Sequence, residues 1–512
     1  MTPTTLLVPL LLVLPIVGAV SLVGTRTPAR ALRVATVAAS LTLVVALALS
    51  WPPTGRARPD DPDALLCPLV SLLTLATLVA GPRQLLDRGM LMALLLTEGA
   101  ALGVFRARGT LPLLGCLVAL PMPLAGLLAQ RERSAPGPRE ARVFHLYMLV
   151  GTLPLLAVLG LDLPDGAPGA AYVVHTPRPT MALGLGALAA LAVGVRLAVV
   201  PFHSWLPCVV TRLPLGVGLV VTHLVVGLFL LERLTPCLGA PALALLGTLG
   251  VATALHGAVA AWAQTDLRRM LGFLLSSHSG LVLAGAVLGG AEAWPGARLH
   301  AVAMGLSFTG LGLLVQSLER RTGTADTTRL GGLHAPGGRM SVLFLLLALG
   351  ALGVPGTWGF TSEDLLLRAA VGVHPALALA LLLALALGAV TLLRAWQRAF
   401  LGPPSPRPFT DLLPRERWTA VALVLALLAG GRGLGESVFP PSMAPSIVFQ
   451  RAHREAKAIR NRREHHVPVE AAQRPGGPVR GDDAGPERLQ FESTQREGGR
   501  ILVGASPPRP DE

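Results

Sequence analysis

Lysine is almost missing from this chain: it occurs once in 512 residues, at Lys457, and arginine carries nearly all the basic charge. Charged residues make up only 14% and aromatic residues 4%, against 52% hydrophobic residues and a mean hydropathy of +0.60. A soluble domain carries about 25% charged residues, so a single water-soluble domain of this size is excluded. The four cysteines, Cys67, Cys116, Cys208 and Cys237, are scattered and form no C-x-x-C pair. Neither an iron–sulfur run nor a zinc site follows from that spacing. The net charge of +14 does not indicate nucleic acid, because the arginines sit in short connections rather than among stacking aromatics on one face.

What is there in quantity is apolar runs of membrane length. A bilayer-spanning helix needs about 20 mostly apolar residues, and the chain offers about fourteen candidate stretches, the last of them short. They fall near residues 4–23, 31–51, 64–81, 88–105, 109–129, 143–161, 181–200, 214–232, 240–263, 272–290, 297–318, 341–358, 374–396 and 418–430. The runs are continuously apolar rather than alternating, which excludes a barrel. The first lacks a basic leader and a small-residue cleavage site, so it reads as a membrane helix. The expected fold is an all-α polytopic membrane protein. Arginine-rich connections such as GTRTPARALR, QRERSAPGPREAR, QTDLRRM and ERRTGTADTTRLGG follow odd-numbered spans, which places those loops in the cytoplasm and the N-terminus outside. From about residue 447 the composition turns charged and rich in glycine and proline. The stretch RAHREAKAIRNRREHH suits a short charged helix and the rest a disordered tail. Three regions result: N-terminal helices over 1–81, a transmembrane core over 82–446, and a tail over 447–512.

Three segments inside the apolar runs carry chemistry. VRLAVVPFHSWLPCVVTRLP holds Arg196, Pro201, His203, Trp205 and Pro207. Proline removes a backbone donor and breaks a helix, and a broken helix at membrane depth survives only where protein or a hydrated cavity satisfies the freed carbonyls. The alternative is an interface loop with an aromatic anchor. GAVAAWAQTDLRRMLGFLLSSHSG joins two helices through Asp266 and brings in Ser276, Ser277 and His278. There Asp266 equally suits a helix cap in an ordinary hairpin. LALGALGVPGTWGFTSEDL places a second break at Pro355 beside Glu363 and Asp364. Two interrupted helices in separate halves suggest an inverted-repeat transporter plan.

In order and spacing these segments resemble the antiporter-like, proton-conducting membrane subunits of NADH-quinone oxidoreductase, respiratory complex I. PFHSWLP is similar to that family's PFHTWLP, and AWAQTDLRRMLGFLLSSHSG to its A-L-x-Q-x-D-L-K-R-x-x-A-Y-S-S-x-S-H-x-G. ALGVPGTWGFTSEDLLL is similar to x-x-G-L-P-x-x-x-G-F-x-x-E. LLLTEGAALGVF, RAWQRAFLGP and DLLPRERWTAVAL add resemblance to subunit M, so the match runs over residues 60–440. The resemblance implies fourteen helices with two inverted five-helix repeats, each containing a broken helix. It implies a proton relay coupled to electron transport, other membrane-arm and redox subunits as partners, and a bacterial inner membrane location. No cofactor is expected in this chain; NADH, FMN, iron–sulfur clusters and quinone belong to partner subunits.

The chain departs from the family where the family's relay titrates. Arg196 stands at the lysine ahead of PFHxWLP, and guanidinium stays protonated in proteins. Ungapped counting puts the paired glutamate at Val118, the next lysine at Val225 and the histidine of L-S-H-G at Met304. His223 lies two residues from Val225 and would face the path only if its helix rotated. His256 and His300 fit either the central row or hydrogen-bonded core positions. The proton-path candidates are Glu98, Arg196, His203, His223, His256, Asp266, His278, Glu363 and Glu416, with Pro201, Pro207 and Pro355 as helix-breaking residues. Three readings remain: a proton-translocating membrane-arm subunit, an antiporter-like subunit that keeps the fold without pumping, and a subunit of a cation/proton antiporter or membrane-bound hydrogenase.

Overall fold

The computed structural model describes residues 3–50, 63–107, 109–134, 140–160, 179–213, 216–235, 238–289, 293–403 and 409–429. The tail expected over 447–512 lies outside them. The described residues form an α-helical bundle of seventeen helices: α1 Pro3–Ser21, α2 Pro28–Ser50, α3 Asp63–Ala80, α4 Arg88–Arg106, α5 Thr110–Ala119, α6 Met122–Ser134, α7 Glu140–Gly160, α8 Pro179–Arg196 and α9 Trp205–Arg212. There follow α10 Gly216–Leu234, α11 Ala240–Trp262, α12 Leu267–Leu288, α13 Trp294–Thr322, α14 Gly338–Ala351, α15 Trp358–Val373, α16 Pro375–Phe400 and α17 Pro414–Ala429. Among the described residues nine helical stretches are long and apolar enough to cross a membrane, α5 and α6 counting together as one. Four apolar helices are shorter, among them the ends of α8 and α14 that lead into breaks.

Helix boundaries correct the expected spans in three places. The run 109–129 divides at Leu120–Pro121, where Pro121 and Pro123 each lack a donor. The run 341–358 stops at Ala351, and a further helix, α15, begins at Trp358. Pro207 is not a break but part of the first turn of α9, where the amide it lacks would have had no intrahelical partner.

Outward faces of α1, α2, α7 and α16 expose Leu and Val, for example Leu146, Leu379 and Leu383. With apolar surroundings on that side, close backbone approach rather than hydrophobic burial has to hold helices together. The α11–α12 hairpin shows how. A Cβ on Gly257 would lie 2.6 Å from the Ser277 amide nitrogen, and one on Gly250 would lie 2.8 Å from that of Ala284. The longest helix, α13, is buried along almost its whole length and packs against α3, α10, α12, α14, α15 and α17.

The arginine-rich connections meet at one end of the bundle. Arg88 donates to the Thr25 carbonyl, and Arg320 to Gln84. Arg268 at the start of α12 donates to the Thr211 carbonyl at 3.2 Å and pairs with Glu319. Arg321 donates to the Thr410 carbonyl at 2.7 Å, and Gly332 N to the Leu401 carbonyl at 2.9 Å. The connections after α1, α3, α9, α11, α13 and α16 therefore share one face, while QRERSAPGPREAR falls partly outside the described residues. In the 323–337 connection the amide and hydroxyl of Thr328 hold the Asp326 carboxyl below the usual carboxylate range.

Candidate proton path

Two helix interruptions organise the interior. The first lies between α8 and α9. Pro201 sits in it, joined to Val200 by a cis peptide, and Ala198 takes φ 51°, a left-handed conformation that costs a non-glycine residue energy. Carbonyls freed by the break are met by side chains. Trp205 Nε1 donates to the Val195 carbonyl at 3.1 Å, Ser279 Oγ to Leu197, and Ser276 Oγ to Ala198 at 3.3 Å. Thr253 Oγ1 accepts from Val200 N at 3.0 Å. This is the internal satisfaction that irregular backbone at membrane depth demands, and it accounts for two of the serines of SSHSG, while Ser277 donates to the Ala254 carbonyl of α11 at 2.7 Å.

Arg196 ends α8 just before this break and is 1% exposed. Its Nη2 donates to the Leu117 carbonyl at 2.9 Å and to Thr152 Oγ1 at 3.0 Å, whereas Nε and Nη1 have no hydrogen-bond partner. Among the described residues it pairs with no carboxylate. His223 on α10 is buried and feels the Arg196 charge. His223 Nδ1 donates to the Leu219 carbonyl at 2.8 Å, which puts a proton on Nδ1. Val118, where ungapped counting places the family's glutamate, is 38% exposed on the outside of α5. It lines a groove of about 330 Å³ with Phe144, His145 and Thr152, while Leu113 and Leu117 face inward. Glu98 is buried on α4 and faces Ser71.

His203, within the break, meets His256 of α11, their Nε2 atoms 3.1 Å apart. One of them must supply the proton of that bond. The pair lies toward the surface of the chain.

The second interruption lies between α14 and α15. Gly353 (φ 60°) and Gly356 (φ 94°) flank Pro355 and supply the left-handed turns. Thr357 caps α15, its hydroxyl accepting from Phe360 N at 3.4 Å, and Trp358 Nε1 anchors the helix to the Ala426 carbonyl at 2.9 Å. The Glu363 carboxylate lies over Gly353, in space that a Cβ would fill, and its Oε1 has no partner.

Beside Glu363 runs a chain of hydrogen bonds. His278 Nδ1 lies 3.0 Å from His300 Nε2, His300 Nδ1 3.1 Å from Ser362 Oγ, and Ser362 Oγ donates to the Gly359 carbonyl at 2.7 Å. A carbonyl can only accept, so the Ser362 proton is committed to Gly359 and Ser362 accepts from His300 Nδ1–H. In neutral His300, Nε2 is then the bare lone pair and His278 Nδ1 the donor. The ring centroids are 5.2 Å apart, about two ring radii more than the nitrogen separation, so the imidazoles meet edge to edge. Phe308 walls the cluster at 5.1 Å from the His278 ring. His300 stands four residues before Met304, one turn earlier on the same face of α13.

The remaining candidates are structural in their contacts. Asp266 caps α12, accepting from Arg269 N at 2.9 Å. Glu416 pairs with Arg321 at 2.6 Å and accepts from Leu413 N at 3.0 Å. Both stand at the arginine-rich end, apart from the two interruptions. Sequence reasoning missed Ser362 and left His300 undecided; the i, i+4 offset from Met304 was the available signal.

Residues 142–388 match the family described as NADH:quinone oxidoreductase/Mrp antiporter, TM. The chain is 33% identical over 363 residues to NADH-quinone oxidoreductase subunit 13 of Thermus thermophilus, covering 69% of this chain and 76% of that one. It is 29% identical over 355 residues to subunit M of Pseudomonas aeruginosa, covering 65% and 69%. Among solved structures, a chain of respiratory complex I from Thermus thermophilus with bound NADH superposes with a TM-score of 0.75 at 29% identity, covering 86% of this chain and 97% of that one. A chain of the Mrp complex from Dietzia shares the fold with a TM-score of 0.72 at 19% identity, covering 86% and 96%. On these grounds the chain belongs to the NADH:quinone oxidoreductase/Mrp antiporter transmembrane family.

Proposed function

We propose that this chain is a membrane-arm subunit of an NADH-quinone oxidoreductase-type complex, coupling electron transport in partner subunits to proton translocation across a bacterial inner membrane. The observation that carries this reading is the His278–His300–Ser362 chain beside the unpartnered carboxylate of Glu363, at a helix interruption inside the family's fold. A proton arriving on His278 has an in-line acceptor 3.0 Å away, and one oxygen of Glu363 lies within 4.8 Å of the ligand nitrogens of both rings. Imidazole accepts a proton on one nitrogen and donates from the other, the two-sided chemistry a relay needs. The first interruption offers a permanently charged guanidinium instead, so translocation runs through the second, and the first serves as a fixed positive element.

Other membrane-arm subunits cover the exposed apolar faces not met by lipid, and NADH, FMN, iron–sulfur clusters and quinone reside in redox partners. Residues 1–81 form an N-terminal helical region, 82–446 the conducting core and 447–512 a charged tail. The arginine-rich face points to the cytoplasm.

The test is proton flux in vesicles containing the purified complex, with wild type beside Glu363→Gln. Glutamine keeps the shape but carries no exchangeable acid, and flux should fall at least about tenfold, as expected for loss of a positioned acid–base group. Unchanged flux in a well-folded variant would transfer the weight to the second reading, a subunit that keeps the fold and partner surfaces without pumping. That Arg196 meets no carboxylate among the described residues is what favours that alternative.

A further inference from the structure

His278, His300 and Glu363 come from three different helices, yet one ligand atom from each lies within 4.8 Å of the others. All three are deeply buried, at 6%, 2% and 9% exposure. Glu363 Oε1 has no hydrogen-bond partner there, and a buried carboxylate without a partner is costly. Ser362 already orients His300 with Nδ1–H outward and the Nε2 lone pair toward the cluster. That is how a ligating histidine is held, its second nitrogen tied to an outer hydrogen-bond partner.

We propose that His278, His300 and Glu363 bind one divalent transition-metal ion of the zinc class. Two imidazoles and one carboxylate suit Zn²⁺, Co²⁺ or Cu²⁺, while Mg²⁺ and Ca²⁺ require a shell of oxygens. Zinc–ligand bonds of about 2.0–2.1 Å in a tetrahedron put ligand atoms roughly 3.3 Å apart. The two histidine nitrogens stand at 3.0 Å. Small ring rotations turn both lone pairs toward Glu363, whose free Oε1 moves in without breaking a hydrogen bond. His278 gives up its Nδ1 proton or carries it on Nε2. A cavity of about 20 Å³ lined by Ser277 and His278 adjoins the site; it is large enough for one water, which would serve as a fourth ligand. The α14–α15 interruption, where Pro355 and Gly356 are exposed, provides a route in.

A bound ion would occupy the same nitrogens and carboxylate as the proposed relay and so block it, making the site inhibitory; the readout, bound metal, is separate from proton flux. The full chain, purified with its partners and stripped with chelator, is dialysed against buffered Zn²⁺ and bound metal is counted. His203→Gln with His256→Gln is the background, removing the more exposed histidine pair. In that background one equivalent of zinc should bind. His278→Gln, His300→Gln and Glu363→Gln should each lower affinity at least about 100-fold, and Ser362→Ala about 10- to 100-fold, as for an outer-shell partner. Cu²⁺ electron paramagnetic resonance in the same background should show two coordinated nitrogens, a readout that requires no substitution at the site. Binding well below one equivalent, a different nitrogen count, or zinc retained by all three ligand variants would each overturn the proposal. Zinc lost in the background itself would assign the metal to His203 and His256 and overturn it too.

Discussion

Arg196 concentrates the difference between this chain and the family pattern in one side chain. Its guanidinium is buried, has no carboxylate partner among the described residues, and is held by the Leu117 carbonyl and Thr152 hydroxyl. Exchanging it for lysine restores a titratable group but loses the two-pronged donation. A charged hydrogen bond of this kind contributes about 1.5–3 kcal/mol. Adding Val118→Glu does not rebuild the family's pair, because Val118 turns outward while Leu117 faces the interior. The Arg196→Lys, Val118→Glu double variant should therefore change vesicle proton flux by less than about twofold. A clear rise would mean that the first interruption is an intact path lacking only its lysine.

Among the elements, the apolar runs gave helix positions well, because a membrane helix is defined by composition over about 20 residues. They failed at α15. WGFTSEDLLLRAAVGV carries Glu363, Asp364 and Arg368, which lower its apolar character below that of a span. The structure accommodates two of them by an i, i+4 pair, Arg368 to Asp364 at 2.7 Å, and the third at the interruption. Proline and glycine marked both interruptions, but the serines that satisfy the first one lie more than 70 residues away in sequence. Ser276→Ala with Ser279→Ala should leave the carbonyls of Ala198 and Leu197 unmet. A cost of about 1–3 kcal/mol each would appear as a lower thermal midpoint in detergent; an unchanged midpoint would mean that water replaces both hydroxyls. The α11–α12 contact makes a separate prediction. Gly257→Leu drives a side chain into the backbone at Ser277, and overpacking of this kind costs about 1–3 kcal/mol or more. The variant should be recovered at lower yield and dissociate from its partners sooner on size exclusion.

At the level of the whole molecule, the loop charges were the most legible long-range signal. Residues as distant as Arg88 and Thr25, or Arg321 and Thr410, meet because all belong to one face. The exposed leucines and valines on α1, α2, α7 and α16 require lipid or protein against them. Gentle purification of the tagged chain, with mass spectrometry of its companions, should recover flavin- and iron–sulfur-bearing subunits together with NADH-quinone activity. Recovery with antiporter-like subunits alone would favour a cation/proton antiporter assembly.

One helix limits how this protein can be recombined with its relatives. Ser276 and Ser279 of α12 hold the first interruption, while His278, between them in sequence, belongs to the cluster at the second. A chimera that takes its first half from this chain and its second from a relative inherits a mismatched seam if the junction falls inside α12. The same applies within α11, whose glycines are shaped to α12 backbone. The α11–α12 hairpin is thus an indivisible cassette, and a workable crossover lies before Ala240 or after Leu288. Even there, the transplanted half must accept this hairpin as its neighbour.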